Sequence, residues 1–322
     1  MDHSTLAIII PAYKSQYLAS TLASLQEQTD NRFTVYIGDD CSPNELTSII
    51  DQFSSEVNII YHRFDENMGS ISLTKQWERC VALSTEEWIW LFSDDDIIER
   101  NAVENFYKSL NGRDLLYKFP TKIIDEKGDL KPYYNKFDRF NNFEDYVSSD
   151  VFISNRLKSN GYRSFAVEYI FHRSLFLNAG FIDFPLAWNS DDATWFIYSI
   201  ANGGRIKMLN SCVYWRLSTS NITSDTTSNT VIKQKVDASL LYIDWLNKLM
   251  IQHNLQVKEY MFLRWFSIQM GIFMPHLSIK DFGKFVEKLP YSFNHISIYF
   301  YFLRFVKFQG LKHNLRSLLN IN

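Results

Sequence analysis

Cysteine is scarce: Cys41, Cys80 and Cys212 are the three in 322 residues, too few and too far apart for a disulfide framework or a thiolate zinc motif. A reducing compartment is therefore expected. No apolar run approaches the ~20 residues that cross a bilayer, "ISIYFYFL" (296–303) being the longest near the C-terminus. The run from Leu6 to Ile10 is too short for a signal peptide and follows an acidic residue, Asp2, so we expect neither secretion nor an integral membrane protein. The chain also lacks a P-loop, a Gly-x-Ser-x-Gly elbow, an internal repeat and any metal-ligand spacing among His62, His253, His276, His295 and His313. An excess of one charge is missing too. Lys and Arg number 33 against 36 Asp and Glu, net −3, which argues against a surface built for nucleic acid.

What is present is unevenly placed. From Lys258 onward nine basic residues face three acidic ones, a net of +6 that leaves −9 for the rest of the chain. That segment, "FLRWFSIQMGIFMPHL" and "YFYFLRFVKFQGLKHNLRSLL", mixes aromatics with Lys and Arg. It reads either as helices lying on an anionic membrane surface or as a helical extension packing on the sheet or on a second subunit.

The first hundred residues alternate. Continuous β-rich runs at 6–13, 33–40, 57–64 and 87–92 are separated by helical patterns at 17–29, 44–53 and 70–84. That β-α order predicts an α/β fold, a mostly parallel, doubly wound sheet flanked by helices. Residues 115–134 suggest a hairpin, 191–204 a helix ended by Gly203-Gly204, 213–218 a strand, and 231–322 helices. The domain reading is 1–230 as one α/β domain, in two halves at 1–111 and 112–230, followed by a helical C-terminal extension at 231–322.

In such sheets ligands bind beyond the carboxyl ends of the strands, where the polar residues after each run collect. Ser93-Asp94-Asp95-Asp96 follows one run. Adjacent carboxylates repel unless a cation sits among them, and hard oxygen ligands suit Mg²⁺ or Mn²⁺ shared with ligand phosphates. The plainer alternative is an acidic loop capping the next helix. Asp39-Asp40 can accept hydrogen bonds from a base or a ribose, or cap a helix, although Ser42 or Asn44 can do the latter. Asn67-Met68-Gly69 precedes a helix, where glycine allows close approach and the N-terminus favours phosphate. Asp191-Asp192 begins a helix; it is either a cap or a general base for an alcohol. His172-Arg173 and Trp215-Arg216 can grip anions, or serve as ordinary surface contacts.

Taken together, "IIIPAYKSQYLASTLASLQEQT", "YIGDDCS", "NMG", "WLFSDDD", "IFHRSLFLNAGFID" with "NSDDATWF", and "VYWRLSTSNIT" resemble, in order and spacing, the family 2 glycosyltransferases of the GT-A fold, bacterial surface-polysaccharide type, over roughly residues 4–225. The resemblance implies that Pro11, Ala12 and Tyr13, with Asp39 or Asp40, contact the nucleoside, Asp40 on the base. It implies Asn67, Gly69 and Lys75 on the donor side, Asp94 toward the ribose or sugar, Asp95 on the metal with Asp96 as its alternative, and Asp192, or else Asp191, as base. His172, Arg173, Trp215 and Arg216 fall on the acceptor or phosphate side, and the resemblance makes 1–111 a nucleotide-binding half and 112–230 an acceptor half. It further implies an inverting, Mn²⁺- or Mg²⁺-dependent transfer from a nucleotide-diphosphate sugar, UDP-linked, to a lipid-linked or growing surface glycan. The expected setting is cytoplasmic, peripheral on the inner face of the bacterial plasma membrane, with a homodimer through the C-terminal helices as the other use of the tail.

Three departures stand out. Ser93 replaces the first carboxylate of the metal motif, Cys41 the glycine after the second-strand aspartates, and Lys75 a position where the family often has Asn or Arg. The Gln-x-x-Arg-Trp signature of processive synthases is absent, so one sugar per encounter is expected. The second reading is a catalytically silent sugar-nucleotide-binding or scaffold protein of the same fold. A nucleotidyltransferase is disfavoured by the lack of a Gly-rich basic loop after the first strand.

Overall fold

The computed structural model describes residues 6–135, 145–158, 164–218 and 228–255, and singly residues 261, 265, 283, 296 and 300. Its N-terminal part alternates as the sequence predicts: β1 (Leu6–Ala12), α1 (Leu18–Gln26), β2 (Phe33–Asp39), α2 (Thr47–Ile50), β3 (Ile59–Arg63), α3 (Leu73–Val81) and β4 (Trp88–Leu91). There follow β5 (Ile97–Ile98), α4 (Ala102–Ser109), β6 (Leu116–Lys118), β7 (Thr121–Ile124), α5 (Pro132–Asn135), β8 (Tyr146–Ser148), α6 (Ser149–Leu157), β9 (Tyr169–His172), α7 (Arg173–Ala179), α8 (Ser190–Ala201), β10 (Arg205–Met208), β11 (Val213–Arg216) and α9 (Asn229–His253).

An eight-stranded sheet runs β3-β2-β1-β4-β9-β6-β10-β8, and a three-stranded one β5-β11-β7. The first four strands are parallel, in a register that brings Ala12, Asp39 and Arg63 level at their carboxyl ends. β1 and β2 lie between helices on both faces, which explains their unbroken apolar runs: all of β2 and all of β1 except Pro11 are buried. Each buried Ile or Leu contributes about 2 kcal/mol of transfer free energy relative to exposure. Leu18, Leu22 and Leu25 form the buried stripe by which α1 packs.

The sheet is less uniformly parallel than the alternation implies. β9 enters between β4 and β6 antiparallel to both, and β8 is antiparallel to β10. The expected hairpin over 115–134 is also redistributed, for β6 joins the large sheet and β7 the small one. Pro120, between them, has no N–H to extend a ladder, and the chain changes sheet there. A tight turn survives at Asp125–Asp129, closed by a bridge between Ile124 and Leu130. The helix expected at 44–53 shrinks to α2 because the Glu45 carboxylate accepts hydrogen bonds from the N–H groups of Thr47 (3.0 Å) and Ser48 (3.1 Å), starting it late. α8 ends as expected, with Gly203 and Gly204 at φ +71° and +78°.

The chain forms two compact units. The first comprises residues 1–152, 161–183 and 190–221 and contains the strands, drawing on both of the expected halves. The second comprises 153–160, 184–189 and 222–322. In the second, Ser228 caps α9, and the buried side of that helix, including Ile232, Val236, Ile243 and Leu246, carries Tyr242 and Trp245 beside Phe184. No helix among the described residues is long and apolar enough to cross a membrane. The basic stretch 258–322, with its membrane-surface and dimer readings, lies outside the described residues apart from the five single positions.

Candidate active site at the carboxyl edge of the sheet

β4 hands the chain to the acidic triplet at the level where β1 ends, since Phe92 N–H donates to Ile9 O at 2.8 Å. The three carboxylates then separate into different tasks. Asp94, 7% exposed, turns toward the loop after β1, where one of its oxygens accepts from Tyr13 N (2.8 Å) and Lys14 N (2.7 Å). Burial, and next the charge of Asp95, outweigh those two bonds and push its carboxyl up to about 6. Asp96 points into the fold: it accepts from Ser93 Oγ (2.7 Å) and Arg216 N (2.7 Å), tying the triplet to β11, and burial raises its pKa well above the usual carboxylate range. Asp95, also buried, has Lys14 Nζ 3.5 Å from its carboxylate.

The second-strand aspartates are structural anchors. Asp39, fully buried, accepts from Ser42 N (2.7 Å), Tyr61 Oη (2.7 Å) and Arg63 Nη1 (2.6 Å). Asp40 accepts from Met68 N (2.7 Å), Gly69 N (2.8 Å) and the Arg79 guanidinium. Asp40, expected on a base, has its carboxylate bound into the Asn67-Met68-Gly69 turn. Gly69 is there for that contact, since a Cβ would stand 2.5 Å from an Asp40 oxygen. Cys41, in place of the family's glycine, keeps the glycine conformation at φ +54°.

α3 then begins at Ser72, whose hydroxyl accepts from Lys75 N at 3.2 Å, leaving the Lys75 side chain exposed on the first turn at the same edge. Ser72 Oγ also donates to Asp183 (3.1 Å), and Ile182 N donates to Thr194 Oγ1 (3.0 Å) in the first turn of α8. This chain of contacts places Asp191 and Asp192 at the carboxyl edge. Asp192 is 2% exposed, and its N–H donates to Asp191 Oδ1 at 2.9 Å. The helix dipole favours both charges there. Immediately upstream, Leu186, Ala187 and Asn189 have positive φ (58°, 51° and 65°), a concentration of backbone strain of the kind found at functional sites.

Other expected contacts fall elsewhere. His172 pairs with Trp88 at the start of β4, and its ring bonds Ser174 (2.7 Å) and Glu87 (3.2 Å). Arg173 holds Glu86 O (2.6 Å) and Ser84 Oγ (2.8 Å). Both therefore stand at the edge of the sheet opposite the triplet, because β9 runs antiparallel to β4, and the acceptor-side expectation for them is corrected. Trp215 stacks on Phe165 with ring centroids 4.4 Å apart, a packing contact. Arg216, 2% exposed, spends its guanidinium on the carbonyls of Asp95 (2.8 Å), Asp125 (3.1 Å) and Glu126 (3.2 Å); it shapes the triplet loop from behind. Asp96, the alternative metal ligand, is likewise occupied internally. Sequence reasoning passed over Tyr61, Arg63 and Arg79, and gave Lys14, which follows the first run at the same edge, no role of its own. The register Asp39↔Arg63 was the available signal for Arg63, since both end adjacent parallel strands.

Among the described residues no three acidic, His or Cys groups converge into a cation cage. A divalent ion at this edge would be held by Asp95, with Asp94 beside it and phosphate oxygens completing the shell, the usual way Mg²⁺ is bound. The donor set fits that use: Asp94 is destabilised by the charge of Asp95, and a cation relieves that repulsion.

The family model described as "Glycosyl transferase family 2" matches residues 7–169, half of the chain. A glycosyltransferase, GlyG, of Streptococcus pneumoniae serotype 4 (strain ATCC BAA-334 / TIGR4) is 23% identical over 148 residues, 46% of this chain and 45% of that protein, so the match spans less than half of that relative. The fold is similar to S. aureus TarS 1–349 solved with UDP-GlcNAc (TM-score 0.54, 16% identity, 88% of this chain and 84% of that one). It is also similar to the mannosyltransferase PcManGT from Pyrobaculum calidifontis solved with GDP-Man and Mn²⁺ (TM-score 0.52, 12% identity, 88% and 78%). With the family model covering β1 to the start of β9 and the acidic triplet within it, the chain belongs to glycosyl transferase family 2 and has the GT-A fold.

Proposed function

We propose that the protein transfers a sugar from a nucleotide-diphosphate donor, UDP-linked, to a hydroxyl of a lipid-linked or growing surface glycan, with inversion at the anomeric carbon. The observation that carries the reading is the convergence, at one sheet edge, of the Asp94-Asp95 pair, the loop after β1, the Asn67–Gly69 turn and the first turn of α8. In this arrangement Pro11 to Tyr13 and the half-exposed Arg63 border the nucleoside, Asp39 and Asp40 hold the walls, and Lys75 stands near the donor phosphates. Asp192, or Asp191 beside it, takes the proton of the acceptor hydroxyl. The hydroxyl oxygen bonds to the anomeric carbon as the bond to the diphosphate breaks, and the electron pair leaves with the nucleotide; one displacement inverts the centre. A Mn²⁺ or Mg²⁺ ion, when bound at Asp95, supplies charge neutralisation for that leaving group. The basic, aromatic tail would keep the enzyme on an anionic inner membrane surface, close to a lipid-linked acceptor.

The test is thermal stabilisation by UDP, GDP, dTDP and CMP, with and without Mn²⁺, followed by turnover of the Asp192→Asn variant. UDP should stabilise in a metal-dependent way, and Asp192→Asn should keep that binding while losing turnover by about a hundredfold or more, the loss typical of a removed general base. No stabilisation by any nucleotide would sink the reading. Binding with full turnover in Asp192→Asn would remove the base assignment and leave the donor assignment standing.

A further inference from the structure

We propose that the Lys14 ammonium is the resting counter-ion of Asp95 and that, by leaving it, Lys14 couples cation binding to nucleotide binding. The inference rests on the donor and metal reading above and adds a role for a residue that reading does not use. Lys14 Nζ stands 3.5 Å from the Asp95 carboxylate, the two side chains being 32% and 13% exposed. Its main chain is pinned, because Lys14 N donates to Asp94 at 2.7 Å. The backbone therefore stays in place while the four-carbon stem remains long enough to carry the charge elsewhere. Arg216, another cation close to the triplet among the described residues, donates from its guanidinium to the Asp95 carbonyl.

A bare divalent ion approaching Asp95 meets an ammonium already there and must displace it against like-charge repulsion, without itself bringing an acceptor for the displaced group. A diphosphate arriving with the ion changes that balance, since its oxygens accept from the ammonium as Asp95 releases it. Lysine suits the exchange better than a planar guanidinium does, being a compact point charge on a flexible stem with three rotatable donors. The site would thus bind a bare cation weakly and the cation–nucleotide pair tightly, which is positive coupling between the two ligands.

The experiment is a Mn²⁺ titration of the full chain, read from the electron paramagnetic resonance signal of free Mn²⁺, without nucleotide and with saturating UDP. It compares wild type with Lys14→Met, Lys14→Gln and Lys14→Arg. Without UDP, Lys14→Met and Lys14→Gln should bind Mn²⁺ about tenfold more tightly than wild type, and the factor by which UDP tightens Mn²⁺ should shrink by a similar amount; Lys14→Arg should bind bare Mn²⁺ as weakly as wild type but gain less from UDP. A residue with a merely structural role would weaken Mn²⁺ binding or leave it unchanged. Mn²⁺ affinity without UDP that is equal to or weaker than wild type in both neutral variants overturns the proposal while leaving the metal site intact. Absence of Mn²⁺ binding in wild type, even with UDP, overturns the metal reading itself and this inference with it.

Discussion

The three consecutive aspartates differ in their environments far more than in their chemistry, and Asp94 makes the difference measurable. Its folded pKa of about 6 lies above the ordinary 3.8, so the folded state holds a proton that the unfolded state has already released. The stabilising contribution of that proton is complete below pH 3.8 and is lost as the pH rises through about 6. In metal-free protein, Asp94→Asn keeps an oxygen for Tyr13 N and Lys14 N and removes the buried charge. It should therefore be more stable than wild type at pH 8 by about 2 kcal/mol, an advantage that fades below pH 6 and is gone near pH 4. Urea denaturation in chelator across that range checks it, and a variant less stable than wild type at pH 8 would contradict the assignment. The same variant should lose Mn²⁺-dependent stabilisation by UDP if Asp94 stands beside the cation.

At the scale of elements, the site is a joint between the two sheets. β4 runs into the triplet, β5 pairs with β11, and Arg216 at the end of β11 bonds the carbonyls of Asp95, Asp125 and Glu126, with Ser20 Oγ of α1 at 3.3 Å. One guanidinium thus fixes the loop after β4 to the turn after β7. Lysine at that position retains the charge but has no fork with which to reach several carbonyls at once. Arg216→Lys should cost about 3 kcal/mol in chemical denaturation, through buried carbonyls left without their donors, and should weaken Mn²⁺ binding. Retention of wild-type stability would mean that the joint is held by the β5·β11·β7 ladders alone. The antiparallel β9 belongs to the same scale. By reversing direction between β4 and β6 it carries His172 and Arg173 away from the site, even though they stand at the carboxyl end of a strand.

The whole molecule is two compact units, of which the first carries every residue of the candidate site. A nucleotide and cation at a hundredfold excess over their Kd add about 2.7 kcal/mol to whatever unfolds with the site. Hydrogen exchange with Mn²⁺ and UDP should accordingly slow amides of β1, β4 and the first turn of α8 in the first unit and leave those of α9 in the second nearly unchanged. An equal slowing in α9 would show that the two units open as one.

How much of this was legible depends on whether the physics is local. The β/α alternation was readable because parallel strands buried on both faces must be continuous apolar runs, and helices covering them must repeat every three to four residues. The edge on which ligands bind follows from that topology, so the sequence alone gathered Asp39-Asp40, Asn67 and the acidic triplet there, while Asp192 as base came only with the family resemblance. The tertiary structure alone decided which partner each carboxylate takes. Asp39, Asp40 and Asp96 follow strands just as Asp95 does, but Arg63, Arg79 and the backbone of Arg216 come from elements distant in sequence and claim them. A hydrogen bond between residues tens of positions apart leaves no period in a sequence, and for the same reason the pairing of Lys14 with Asp95 became visible only once β1 and β4 lay side by side.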